Sequence, residues 1–555
     1  MREVLILFTG LATLTFSGCH QEKREGKLFK DVPPENSKVF FTNQLEDKEI
    51  YNTLLQANFY GGAGVGVGDI NNDGLADLYF AGNQVSDKLY LNKGDFEFED
   101  ITESAGIIDN GGWSSSVLMG DVNNDGYIDI YVTREMYGTS PELLRNKLYI
   151  NNQDNSFTES SKLWGIDNAE RSRAGTFFDF DNDGDLDLYL LNTPPNPGPL
   201  IDINLEDLLL ERYSPVLYEN SGSGFTDVTL QSGLQRPGFP NSVIAADLNG
   251  DGWQDLYVTN DFTVPDFLFV NNGDGTFSNK INEITGHISF GSMGVDASDI
   301  DNDGLLDIFV TDMSAEDNYR IKSNMSGMNP DAFWNVVEKG DHHQYMYNTL
   351  QLNSGMGHFS DIAQIAGLSS TDWSWSSFFA DFDNDGFKDA FISNGILREI
   401  RNTDALKKLA KYASNHPKAF NVSSIESQNN TGIDSESLKQ MIELFPSEKL
   451  LNYVYRNNGD HTFKKEMKEW GITTKSFSNG SAYGDLDNDG DLDLVINNVN
   501  QVSQILENTS ADKGSHFIRI KLTDKLSNRT NLGSKIWLYT ENGLQFFELS
   551  SSRGM

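Results

Sequence analysis

The chain has 555 residues, with 42 Lys plus Arg against 82 Asp plus Glu and a formal net charge of −40, and its pI is about 4.4. That balance excludes a nucleic-acid binder, which needs a basic face to displace counterions from phosphates, and a polybasic membrane-surface protein. With 38% hydrophobic and 11% aromatic residues a sizeable core is available and wholesale disorder is excluded, while the single cysteine leaves neither an intrachain disulfide nor a Cys-based zinc site.

Residues 1–18, MREVLILFTGLATLTFSG, begin with Arg2 and run apolar from Val4 to Phe16. Such a run is too short for the roughly 20 residues of a membrane span and has the pattern of a secretory signal peptide. The only cysteine follows at once, so the segment resembles a bacterial lipoprotein signal with the lipobox Phe16-Ser17-Gly18-Cys19, Phe16 standing where Leu is usual. Cys19 is then the expected lipid-attachment residue. Beyond it comes a short apolar stretch, Leu28-Phe29-Lys30-Asp31-Val32, that reads as a strand.

From Asp69 onward the string D-x-[DN]-x-D-G-x-x-D recurs seven times, at spacings of 52, 58, 68, 52, 82 and 104 residues. Calcium takes six to eight oxygens from carboxylates, amides, carbonyls and water, and alternate positions of a tight loop point such oxygens inward. The first loop offers Asp69, Asn71, Asp73 and Asp77 with the carbonyl of Leu75; the second offers Asp121, Asn123, Asp125 and Asp129 with Tyr127. The third has Asp179, Asp181, Asp183 and Asp187 with Asp185, and the fourth Asp247, Asn249, Asp251 and Asp255 with Trp253. The fifth has Asp299, Asp301, Asp303 and Asp307 with Leu305, the sixth Asp381, Asp383, Asp385 and Asp389 with Phe387, and the seventh Asp485, Asp487, Asp489 and Asp493 with Asp491. The seventh position varies freely, as expected where only its carbonyl is used. Asn at position 3 of the first, second and fourth loops removes one charge and predicts weaker binding there. Turn-forming alone does not require four oxygens at fixed offsets seven times over. An EF-hand needs Glu at position 12, where this chain has Phe80, Val132, Leu190, Val258, Val310, Ile392 and Ile496.

Small-residue runs precede each loop and β-branched or aromatic runs such as Asp129-Ile130-Tyr131-Val132 follow it, so each loop joins two strands. After six of the loops comes a second hairpin, beginning at Leu89, Leu148, Leu217, Leu268, Leu350 and Val454. Two hairpins per repeat and seven repeats predict an all-β fold, a seven-bladed β-propeller over 28–509. The seventh repeat has Ile505-Leu506-Glu507-Asn508 but no partner strand, so the strand at 28–32 is expected to complete it and close the ring.

These loops resemble FG-GAP/VCBS repeats, the propeller repeats also found in integrin α-subunits. The strings SMGVDASDIDNDG and TDWSWSSFFADFDNDG resemble bacterial envelope proteins that pair such repeats with an ASPIC/UnbV domain. Asn528-Arg529-Thr530-Asn531-Leu532-Gly533-Ser534-Lys535-Ile536-Trp537 looks like the opening of that β domain, and residues 510–555 are expected to hold either a truncated copy ending soon after Ser552-Arg553-Gly554 or the start of one in a fragment of a longer protein. The resemblance implies an extracytoplasmic place and calcium-dependent adhesion or ligand binding.

Residues 312–346 and 395–450 interrupt the repeat, the second reading helical over Asp404–Tyr412 and Glu436–Leu444. Long loops on a rigid scaffold commonly carry binding. His342-His343 is a candidate metal pair against ordinary exposure, and Trp373 and Trp375 are candidates for stacking on sugar rings against packing between blades. No H-E-x-x-H, G-x-S-x-G or P-loop string occurs, so no catalytic residue is assigned. The expectation is an exported binding or adhesion module at the bacterial cell envelope, as an outer-membrane lipoprotein, stabilised by up to seven Ca2+. Its partner is a glycan or an envelope protein, with no nucleic acid and no membrane contact except a lipid on Cys19. The alternative is a calcium-dependent polysaccharide lyase or glycoside hydrolase on the same scaffold.

Overall fold

The computed structural model describes residues 27–49, 51–108, 110–136, 141–195, 208–262, 264–324, 330–338, 340–416, 434–511, 517–522, 532–540 and 543–550. Cys19 and the signal segment lie outside the described residues, as do Asn528 to Asn531. Seven four-stranded antiparallel sheets form the blades of a propeller. The first is Val65–Gly68, Asp77–Phe80, Lys88–Asn92 and Phe98–Asp100. The second is Ser114–Gly120, Asp129–Arg134, Lys147–Asn151 and Phe157–Glu159, and the third Ser172–Phe178, Asp187–Asn192, Val216–Asn220 and Phe225–Asp227. The fourth is Pro240–Ala246, Asp255–Asn260, Phe267–Asn271 and Phe277–Asn279, and the fifth Val295–Ser298, Asp307–Val310, Thr349–Asn353 and Phe359–Asp361. The sixth is Ser374–Ala380, Asp389–Asn394, Tyr453–Asn457 and Phe463–Lys465. The seventh is Ser478–Gly484, Asp493–Asn498 and Gln504–Asn508, completed by Phe29–Asp31 from the other end of the chain.

That closure is the expected one, with Phe29 opposite Asn508 and Asp31 opposite Leu506. It is extended at both ends by Val32 N–H to the Ile505 carbonyl and Thr509 N–H to the Leu28 carbonyl, each 2.9 Å. Each of the seven blade–blade seams has its own buried apolar cluster. Tyr79, Ile130 and Tyr149 fill the seam between the first and second blades; Phe29, Phe382, Phe391 and Trp470 fill that between the sixth and seventh. The second strand of a blade is buried on both faces, which is why it reads as a continuous β-branched and aromatic run. The first strands are rich in Ser, Gly and Ala because neighbouring backbones approach closely: a Cβ at Gly294 would stand 2.2 Å from the Trp375 carbonyl oxygen.

Topology fixes which end each connection occupies. The nine-residue loops join first to second strands, and the Asn/Gly turns join third to fourth, so both lie at one end. The inserts join second to third strands in the fifth and sixth blades and so lie at the opposite end. There the first insert forms helices Asn318–Asn324 and Pro330–Glu338. The second forms Thr403–Asn415 and Ser435–Ile442, matching the two helical stretches read from sequence. Asn402 and Asp434 cap them, their side chains accepting from Ala405 N–H and Ser437 N–H at 3.0 Å. Leu409, Leu438 and Met441 pack on Leu54 and Leu55, fastening these helices to the segment before the first blade.

Candidate metal centres

Each loop is first a hydrogen-bonded turn. In the first, Asp69 accepts from Asp73 N–H at 3.1 Å and Gly74 N–H at 2.9 Å, and Asp73 accepts from Leu75 N–H at 2.9 Å. Asp77 accepts from Ile70 N–H at 2.9 Å and Asn92 N–H at 2.7 Å. The same pattern recurs in the second to sixth loops, as at Asp179 and Asp187. The glycine at position 6 has φ between 89° and 97° in all seven, a region open to glycine at little cost. Position 4 is also left-handed: Asn at φ 54–65° in six loops and Gly250 at 77° in the fourth.

The structure brings three of the four carboxylates together in some loops and separates the loops into two kinds. In the third, fifth, sixth and seventh, carboxylate oxygens converge to within 4.8 Å of one another: Asp179, Asp181 and Asp187; Asp299, Asp301 and Asp303; Asp381, Asp383 and Asp385; Asp485, Asp487 and Asp493. These are the four with Asp at position 3. In the first, second and fourth loops the Asn amide instead donates to the position 5 carboxylate, Asn71 to Asp73 at 2.9 Å, Asn123 to Asp125 at 3.1 Å and Asn249 to Asp251 at 2.9 Å.

The donor set fits a hard cation. The position 9 aspartates are at most 1% exposed. Burial, with nearby carboxylates adding to it, pushes Asp77 and Asp129 up to about 7, Asp255 to about 8, and Asp187 and Asp493 to about 9. Asp307 and Asp389 are raised well above the usual range for the same reasons. Asp485 Oδ1 and Asp491 Oδ1 are buried with no hydrogen-bond partner. Carboxylates so arranged are stabilised in their charged form by a nearby cation.

A second set of residues, not singled out from the sequence, ties the loops into a ring. The Asn ending each third strand donates to the loop of its own blade and to position 2 of the preceding blade's loop. Asn151 reaches the Ile70 carbonyl at 2.7 Å, Asn271 that of Phe180 at 2.8 Å, and Asn508 that of Phe382 at 2.8 Å. Asn92 closes the circle onto Leu486 at 2.8 Å. In the other direction the position 4 Asn donates to the following loop, Asn72 to the Gly126 carbonyl at 2.8 Å and Asn488 to that of Gly74 at 2.7 Å. The signal was the Asn column in the second hairpins, whose partners lie a blade away.

Several side chains outside the loops reach them. Arg456 donates to Asp383 at 2.9 Å and Asp385 at 2.7 Å. The hairpin Lys535–Thr540 with Gly543–Glu548 lies on the loop end. Phe546 is buried against Ile244, Leu248 and Leu306, and Lys535 pairs with Asp247. Lys388 bridges the carbonyls of Asp299 at 2.8 Å and Phe546 at 3.0 Å. The described part of 510–555 therefore packs on the propeller.

At the opposite end the candidates fall differently. Trp373 and Trp375 are 6% and 3% exposed. They sit with Phe59, Trp113, Met293 and Phe477 in a cluster drawn from several blades around the axis, so they neither face solvent nor fill a single seam. His342 is buried, and both its nitrogens are engaged: Nδ1 accepts from His343 N–H at 2.8 Å and Nε2 lies 2.9 Å from Thr285 Oγ1. That overturns the metal reading of His342-His343, since the local turn consumes the lone pair a metal needs. Sequence reading also missed a run of aromatic rings built by the first insert. Phe333 lies 5.2 Å from Trp334 and 5.5 Å from Tyr345, Tyr345 stacks on Tyr347 at 5.9 Å, and His287 and His343 flank them. Trp334 is 53% exposed.

Over 238 residues the chain is 24% identical to human cartilage acidic protein 1, covering 42% of this chain and 34% of that protein. The Xenopus tropicalis protein of the same name is 26% identical over 237 residues, with the same coverage. The chain thus spans about a third of the length of these relatives. Among solved structures, an Agrocybe aegerita lectin recognising terminal N-acetylglucosamine aligns at 14% identity and TM-score 0.37, covering 74% of this chain and 83% of that one. The model of the FG-GAP-like repeat matches residues 55–132, 135–190, 205–258, 247–310, 329–392 and 446–496. With more than half of its length matched and all seven blades formed on one plan, the chain belongs to the FG-GAP-like repeat family.

Proposed function

We propose that this is a calcium-stabilised propeller that binds a glycan or protein at the bacterial cell envelope, without catalysing a reaction. The observation that carries the binding half is the aromatic run of the first insert, where Trp334 stands half in solvent on the helix Pro330–Glu338. Exposed rings with imidazole and phenol edges suit the mixed apolar and polar faces of sugars and peptides. The calcium half is supported by the convergent carboxylates and the partnerless oxygens of Asp485 and Asp491. Asp69, Asp121, Asp179, Asp247, Asp299, Asp381 and Asp485 would each begin one site, and bound Ca2+ would supply charge compensation rather than chemistry.

Localisation follows the same reading. Among the described residues no helix is long and apolar enough to cross a membrane. Lys27, whose carbonyl accepts from Thr509 Oγ1 at 3.1 Å, stands at the loop end. A lipid on Cys19 would therefore tether the loop end and leave the insert end facing outward. We read the hairpin at 535–548 as the opening of the ASPIC/UnbV domain, resting on the loops.

The test is a panel of oligosaccharides and envelope proteins incubated with the chain in millimolar calcium, reading both retention and product size. Retention lost in chelator, with products of unchanged length, supports the proposal. Shortened oligosaccharides establish the lyase or hydrolase reading instead.

A further inference from the structure

The seven loops share a sequence, yet one strand residue facing each loop varies in charge. It is the residue before the Asn that ends each third strand: apolar in four blades, Glu219 in the third, Glu507 in the seventh and Arg456 in the sixth. Its proximity to the loop follows from its place on the strand. Glu219 and Glu507 stand one residue before Asn220 and Asn508, whose side chains donate to the loop carbonyls of Leu186 and Leu492 in the same blades. Arg456 instead spans positions 3 and 5 of its loop with two hydrogen bonds, Nε to Asp383 at 2.9 Å and Nη2 to Asp385 at 2.7 Å.

We propose that Arg456 is a built-in counter-cation for the loop beginning at Asp381, so that this loop holds a divalent cation far more weakly than the loop beginning at Asp179. This rests on the calcium reading above. The third loop carries Asp179, Asp181, Asp183, Asp185, Asp187 and Glu219, a formal charge of −6. Among the described residues no ion pair reaches its aspartates. The sixth carries Asp381, Asp383, Asp385 and Asp389 against Lys388 and Arg456, a formal −2. A guanidinium fork matches two carboxylate oxygens in geometry as well as charge. To enter the sixth loop a divalent ion must either displace that fork from two of its four aspartates or bind beside a fixed positive charge. Arg456 is anchored on a strand whose backbone pairs with both neighbours, so the fork is held in place rather than recruited from a mobile chain. Three apparently equivalent acidic turns thereby become distinct: the third is assigned to tight binding, the sixth to self-neutralisation. The seventh lies between, since Glu507 adds charge while Lys30 lies 3.5 Å from it and Arg519 pairs with Asp485.

The experiment counts Ca2+ per chain after chelation and equilibrium dialysis at fixed sub-millimolar free Ca2+, for the full chain, Arg456→Leu and Glu219→Arg. Leu352 occupies the same strand position in the fifth blade, so Arg456→Leu is expected to fold, and circular dichroism checks this. Arg456→Leu should hold one more ion per chain than wild type and Glu219→Arg one fewer, each with at least a tenfold change at one site. If Arg456→Leu does not fold, Glu219→Arg alone decides: an unchanged count overturns the proposal. An Arg456→Leu count equal to wild type overturns it too, making Arg456 an outer partner of a filled loop. If no variant holds Ca2+, the calcium reading itself falls and the proposal with it.

Discussion

At the loop end every blade presents the same nine-residue turn, and the seven turns are laced together by Asn amides running both ways around the ring. At the insert end the two inserts of the fifth and sixth blades differ from each other and from the plain connections elsewhere. One adds a helical pair capped by Asn402 and Asp434, another a set of aromatic rings, while Trp113, Trp373 and Phe477 enter one buried cluster from equivalent positions eight residues before their loops. Repetition places stability at the first end, because the turn and the Asn bond to the preceding loop recur in every blade. Variation frees the second end for recognition, because a change there disturbs one blade. Perturbations at the two ends should therefore move different measurements.

The largest expected effect is removal of divalent cations. At a free concentration tenfold above Kd each site contributes about 1.4 kcal/mol by linkage, with extracellular calcium modules binding at about 10⁻⁴–10⁻³ M. Several sites acting together rival the roughly 5–15 kcal/mol stability of a domain. Chelation should lower the melting temperature by many degrees, and calcium should restore it where magnesium does not. A melting curve indifferent to chelator would show that the hydrogen-bonded turns suffice alone.

Next comes the ring closure. Phe29 is 1% exposed and meets Phe382 edge-on at 5.5 Å across the last seam. Phe29→Ala should cost about 3–5 kcal/mol, and deletion of 28–32 more, since it also strips the Gln504–Asn508 strand of its partner. Urea unfolding measures both; a midpoint unchanged by the deletion would mean that the ring does not depend on the N-terminal strand.

The Asn lacing should be weaker but local. Asn271→Ala removes bonds to the Phe180 carbonyl at 2.8 Å and the Gln254 carbonyl at 3.3 Å, leaving buried acceptors. A loss of about 1–3 kcal/mol is expected, with faster amide exchange in the third and fourth loops than elsewhere. Uniformly faster exchange would mean that the loops open as one unit and not as linked pairs.

These ends were not equally legible in the sequence. The loops declared themselves because their ligand spacing is local and periodic, and the missing strand of the seventh repeat pointed to Phe29–Asp31. The Asn column was equally periodic, but its meaning lay in partners distant along the chain, Leu486 for Asn92 and Phe382 for Asn508. Trp373 shares with Trp113 and Phe477 a column eight residues before the loop, but the cluster these rings form with Trp375 joins different blades, which one repeat alone does not display. His342 looked like half of a metal pair until its turn with His343 and its contact with Thr285 used both nitrogens. The packing of Phe546 over the fourth and fifth loops joins residues that share no repeat at all.

The smallest effect on stability should accompany the largest on binding. Trp334 is 53% exposed and sits on a helix of the first insert, touching Phe333 at 5.2 Å and His343 at 6.4 Å. Surface substitutions away from a core usually change stability by about 0.5 kcal/mol or less, so Trp334→Ala should melt with the wild type and respond identically to calcium. If the aromatic run is the recognition surface, the same change should abolish retention of any oligosaccharide or protein the chain captures, because an exposed ring on a rigid support is where contact energy concentrates. Trp375→Ala offers the opposite pattern: a buried ring, its Nε1 donating to the Gly395 carbonyl at 2.8 Å, whose loss should cost several kcal/mol. Retention surviving Trp334→Ala would move recognition away from the first insert and towards the helices of the second. Retention lost together with stability would show that the two ends are coupled through the blades and are not independent, since the inserts and the loops terminate the same strands.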